Sequence, residues 1–143
     1  MPEASRARGL VDTSVVIDLD RVAGDALPDE IAIAAVTLAE LAAGPHATDD
    51  PAERARRQER LQRVEATFDA IPFDADAARA YGRLYAEVAA AGRKARGRRA
   101  VDLLIAATAV ATELPLYTRN ASDFDGLGGV LEVVAVDANT VAP

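Results

Sequence analysis

The chain has 143 residues, half of them hydrophobic, which is enough for one ordinary core and excludes bulk disorder. It has no cysteine and one histidine, so disulfides, thiolate metal sites and histidine-cluster zinc centres are excluded. A net charge of −7 argues against binding nucleic acid by bulk electrostatics, but not against a metal-dependent enzyme acting on phosphates, because divalent cations offset clustered acids. The expected elements follow in chain order. Residues 1–8 read as a polar lead-in without a signal peptide's apolar segment. Residues 9–11 form a short buried strand ending at Asp12, and Thr13 or Ser14 is expected to cap the helix that follows. A loop over 24–28 leads to a second strand, 30–36. Thr37-Leu38-Ala39-Glu40 then has the form of a capping box, opening a helix that stops near Gly44-Pro45, with His46 in the loop beyond. Asp50-Pro51-Ala52-Glu53 opens the next helix, which runs to about Thr67 with Leu61, Val64 and Phe68 inside. Its i,i+4 pairs Glu53/Arg57 and Glu59/Arg63 are expected outside.

An extended piece, 70–73, precedes an N-cap at Asp74. The helix it opens is expected to bury Tyr81, Leu84, Tyr85 and Val88 and to end at Gly92. Residues 92–99 make a basic loop carrying Arg93, Lys94, Arg96, Arg98 and Arg99. A very apolar helix, 100–112, is interrupted early by Asp102. A strand over 114–117, a polar turn over 118–125 and a last strand over 130–136 complete the chain. Strands alternating with helices imply a three-layer α/β/α fold with a central parallel sheet. Residues 1–143 read as a single domain with its core at about 9–136. No apolar run approaches the ~20 residues of a membrane span, and the expected location is cytoplasmic.

Asp12, Glu40, Asp102 and Asp123 are all expected at strand C-termini or in first helical turns, which a parallel sheet gathers along one edge. Taken singly, each has a plain structural role: a cap for Asp12, a capping-box member for Glu40, a helix-dipole acid for Asp102 and a turn residue for Asp123. Asp125 competes with Asp123, which is preferred because it lies nearer the strand end. Gathered, four carboxylates raise one another's pKa and call for a cation; hard oxygen donors of this kind suit Mg²⁺ or Mn²⁺.

Four segments in order carry a resemblance: Leu10-Val11-Asp12-Thr13-Ser14, Thr37-Leu38-Ala39-Glu40-Leu41, the run from Asp102 to Ala109, and Tyr117 to Phe124. They resemble the signature segments of PIN-domain ribonucleases, and the short length resembles the VapC toxins of type II toxin–antitoxin pairs. The resemblance implies a PIN-like fold with Asp12, Glu40, Asp102 and Asp123 as the acidic site. Asp12, Asp102 and Asp123 would be the metal ligands. Thr13, Ser14, Thr118 and Asn120 would support the metal or the scissile phosphate. It further implies Mg²⁺-dependent cleavage of structured RNA, with Mn²⁺ as a substitute, leaving 5′-phosphate and 3′-hydroxyl ends, and a homodimer neutralised by a VapB antitoxin. The loop cations Arg96, Arg98 and Arg99 are read as RNA-phosphate contacts. A receiver domain would need a lysine near its last strand, and the only lysine is Lys94. An aspartyl phosphatase would need an acid where Ser14 stands. A catalytically silent PIN-fold binding protein is the remaining alternative.

Overall fold

The structure is a computed structural model describing residues 7–137; most of the expected lead-in lies outside the described residues. Five strands, β1 (Arg8–Val11), β2 (Glu30–Ala34), β3 (Ala70–Ile71), β4 (Leu116–Thr118) and β5 (Val133–Ala135), form one sheet in the order β3-β2-β1-β4-β5. Every neighbouring pair is parallel. The helices are α1 (Thr13–Ile17), α2 (Ala35–Ala43), α3 (Pro51–Thr67), α4 (Ala75–Ala90) and α5 (Arg98–Thr112).

Side-chain alternation along the strands divides the interior in two. Leu10, Ala32, Ala34 and Leu116 face a core completed by Leu84 of α4 and by Leu103, Ile105 and Ala106 of α5. Val11, Ile33 and Tyr117 face the other, with Val15 and Val16 of α1, Leu41 of α2 and Val64 of α3. The sheet is therefore sandwiched as expected. Burial on both faces explains why its central strands read as unbroken apolar runs. Burying a leucine such as Leu84 contributes roughly 1.5–3 kcal/mol. Gly9 is set by close approach, since a Cβ there would lie 2.4 Å from the Tyr117 ring.

Two helix starts match the sequence. Asp50 accepts from the Ala52 N–H with Pro51 at the first helical position, and Asp74 accepts from the Ala77 N–H. The other boundaries differ. Asp12 itself, not Thr13 or Ser14, caps α1. α2 begins at Ala35 without a side-chain cap, so Thr37 and Glu40 lie inside it and form no capping box. α5 begins at Arg98, placing Asp102 beyond its first turn; Gly97, at φ 57°, makes the entry. β4 starts two residues later than expected and includes Thr118, while β5 is confined to the three residues that pair with β4. On α4, alanines 77 and 80 take the buried positions with Leu84 and Val88, leaving Tyr85 48% exposed.

Candidate active site

The strand order reverses at β1: β2 and β3 lie to one side, β4 and β5 to the other. Open parallel sheets bind ligands outside the carboxyl end of the strand at such a switch point, and Asp12 stands there. Its backbone is tied to β4 by an N–H donated to the Tyr117 carbonyl at 3.0 Å. Its carboxylate accepts from the Ser14 hydroxyl at 2.5 Å and from the Val15 N–H at 3.3 Å. Only 5% of the residue is exposed. Burial pushes its pKa above the usual carboxylate range, against the lowering effect of hydrogen bonds from Ser14, Thr118 and the backbone.

Glu40 reaches the same edge from α2. The Thr13 hydroxyl donates to Glu40 Oε1 at 2.5 Å, and the fully buried Thr37 hydroxyl lies 3.2 Å from that of Thr13. On the other side, Thr118 is fully buried and its hydroxyl accepts from the Asn120 N–H at 3.0 Å. The Arg119 N–H donates to Ser14 Oγ at 3.2 Å, joining the chain after β4 to the first turn of α1.

Asp102 projects from α5, and Asp123 lies in a 3-10 turn, Ala121–Phe124. Burial raises Asp102 to a pKa of about 6, helped by the negative charges of Asp123, Asp12 and Glu40 and opposed by Arg98. Asp12, Glu40 and Asp123 thus all act on Asp102, and the charge from that turn comes from Asp123, with Asp125 just beyond the turn. As the side chains stand, no three acids among the described residues converge into a ready-made cage for an ion. The donors nevertheless fit a hard divalent cation: they are all carboxylates, the oxygen donors that Mg²⁺ and Mn²⁺ take, and a cation would offset their like charges.

Beside Glu40 opens a groove of about 600 Å³. Thr13, Ser14, Asn120 and Arg98, all singled out from the sequence, line it together with Glu40. Thr118 sits behind it against Asp12, and Arg96 and Arg99 are not part of its wall. Sequence reasoning missed Arg57, Arg60 and Arg119, which also line it. Arg57 makes the expected i,i+4 pair with Glu53 and also donates to the Gly44 carbonyl, both at 2.8 Å, but half-buried in the groove wall and not on an outer face. Arg119 is ion-paired with Asp18. The signal for Arg57 and Arg60 was their shared helix face; for Arg119 it was adjacency to Asn120.

The profile of the PIN domain family matches residues 9–129, and the chain belongs to that family. It is 41% identical over 130 residues to Ribonuclease VapC5 of Mycobacterium tuberculosis (strain ATCC 25618 / H37Rv), covering 89% of this chain and 93% of the relative. Ribonuclease VapC8 of the same strain is 38% identical over 112 residues, 76% of this chain and 96% of that one. Among solved structures, VapBC-5 from Mycobacterium tuberculosis, a member of the VapBC family of toxin–antitoxin systems, superposes with a TM-score of 0.77 at 39% identity. That match covers 92% of this chain and 98% of the other. Within the PIN family the chain therefore stands among the VapC ribonucleases.

Proposed function

We propose that this VapC-type ribonuclease is the toxin of a toxin–antitoxin pair, cleaving RNA internally with Mg²⁺ bound by Asp12, Asp102 and Asp123 and with Glu40 alongside. The observation that carries the reading is Asp12 at the sheet's switch point, with its charge and those of Asp123 and Glu40 acting on Asp102. When bound, Mg²⁺ supplies Lewis acidity, lowering the pKa of a water and offsetting charge on the phosphate during in-line displacement; Mn²⁺ serves in its place.

The chain's own groups set the stage for that chemistry. Ser14 and the Val15 N–H fix the Asp12 carboxylate, so little side-chain freedom remains to be lost. Thr13 holds Glu40 at the groove. With a pKa of about 6, Asp102 is mostly ionised at neutral pH and remains an anionic donor. Thr118 and Asn120 brace the turn that carries Asp123.

With this activity we place the protein in the cytoplasm as a homodimer held inactive by a VapB-type antitoxin. Two features are in keeping with it: the relation to VapBC-5, and the lack of any helix among the described residues long and apolar enough to cross a membrane. The test is cleavage of RNA by the purified chain. Excess EDTA should abolish it, and Mg²⁺ or Mn²⁺ should restore it. Undiminished cleavage in chelator would overturn the mechanism.

A further inference from the structure

Two of the groove's four arginines are committed and two are not. Arg57 is held by Glu53 and Gly44, and Arg119 by Asp18. Arg60, on the α3 wall, and Arg98, at the first position of α5, line the same groove without an ion-pair partner among the described residues. The charge of Arg98 already reaches Asp102. Arg119 Nε is buried, so this guanidinium serves the groove wall through its pair with Asp18 and is not a free contact. A protein of net charge −7 thus keeps two arginines outside ion pairs, among the described residues, in one groove that also presents Thr13, Ser14 and Glu40.

We propose that this groove is the track of the RNA sugar–phosphate backbone, with Arg60 and Arg98 contacting phosphates near the scissile one. The proposal rests on the ribonuclease reading and adds the path of the substrate. Of the cations expected from the sequence to hold RNA phosphates it keeps Arg98, sets aside Arg96 and Arg99, and adds Arg60 on the groove wall. Arg60 also borders the neighbouring groove, which Arg63, Thr67 and Phe68 line, so the track continues along α3. Single-stranded RNA is the occupant favoured over an acidic peptide because Arg60 and Arg98 share the groove with Glu40, and Arg98 also acts on Asp102, two of the acids proposed to direct cleavage.

The test is binding of a single-stranded oligoribonucleotide in EDTA, where the proposed cleavage is silent, at salt concentrations from 50 to 200 mM. Each phosphate contact removed should flatten the slope of log K against log salt by about 0.7. Wild type should accordingly lose about 2.6-fold more affinity over that range than Arg60→Ala or Arg98→Ala. Arg60→Lys, which keeps the charge, should restore the slope. The loop variant Arg93→Ala/Lys94→Ala should leave it unchanged. An unchanged slope in both groove variants, with folding verified by circular dichroism, overturns the track; so does polyglutamate binding that depends on Arg60 while RNA binding does not. If wild type cleaves RNA with Mg²⁺ and the groove variants still bind with an unaltered slope, the track fails and the ribonuclease reading stands. Failure of wild type to cleave RNA with any divalent ion sinks the reading itself.

Discussion

Two helices in this protein begin in the same way and serve different ends. Asp12 opens α1 and Asp74 opens α4, each with a carboxylate accepting from the N–H three residues on. Asp74 is exposed and starts a 16-residue helix whose apolar face fills the core against α5. Asp12 is buried, starts a helix of five residues, and holds its carboxylate at a pKa raised by that burial. A serine or threonine would cap so short a helix at less cost, because a hydroxyl carries no charge to desolvate. The contrast teaches that a cap whose burial exceeds what capping needs is retained for something else.

The sharpest way to break that contrast is Asp12→Asn. Asparagine caps as well as aspartate, so the fold should persist by circular dichroism. Losing a hard anionic ligand, worth several kcal/mol, should cut RNA cleavage by about 1000-fold or more. Since burial disfavours the charged form, the metal-free variant should melt no lower than wild type. Near-normal cleavage by this variant would reduce Asp12 to a cap like Asp74.

The reciprocal substitution, Asp74→Ala, should do the opposite. It removes an N-cap worth about 1 kcal/mol, lowering Tm by roughly 3 °C, and leaves cleavage below the melting range unchanged. Lost activity in folded Asp74→Ala would show that the two caps are not separable.

The smallest effect concerns Asp102. Its pKa of about 6 lies above the ordinary 3.8, so the folded state holds the proton more tightly than the unfolded chain. That stabilisation is complete below pH 3.8 and is lost as pH rises through 6. Metal-free wild type should therefore lose about 1 kcal/mol relative to Asp102→Asn across that window, after allowance for screening at a half-buried site. Thermal melts of both proteins from pH 4 to 7 measure it, and parallel curves would contradict it. The same titration should weaken divalent-ion binding below pH 6.

These comparisons show where the sequence was readable. The starts of α3 and α4 were, because an aspartate followed by proline or by an amphipathic repeat marks a helix entry without help from the rest of the fold. The start of α2 was not. The chain leaves β2 at Ala34 and enters the helix at Ala35 within one apolar run, so Thr37, the first polar residue, was taken for a cap. Arg98 and Arg99 read as loop because they continue the basic stretch before them, and only Gly97, whose positive φ makes the turn, marks the helix entry. The acids were found through their order along the chain and the resemblance it supports. The arginine wall was invisible because Arg57, Arg60, Arg98 and Arg119 come from three separate segments that only the sheet's crossover brings together.

The pairing of β1 with β4 also sets the order of events during synthesis. The Asp12 carboxylate is linked to the Ser14 hydroxyl, which accepts from an N–H 105 residues further on, and the backbone of Asp12 waits for Tyr117. No emerging chain can close this edge until β4 has left the ribosome, and contacts so distant in sequence form late and slowly. A translation product that stops short of Thr118 carries three of the four acids and cannot assemble them around the completed strand pair. The acid-bearing edge is thus completed only when the chain is nearly whole.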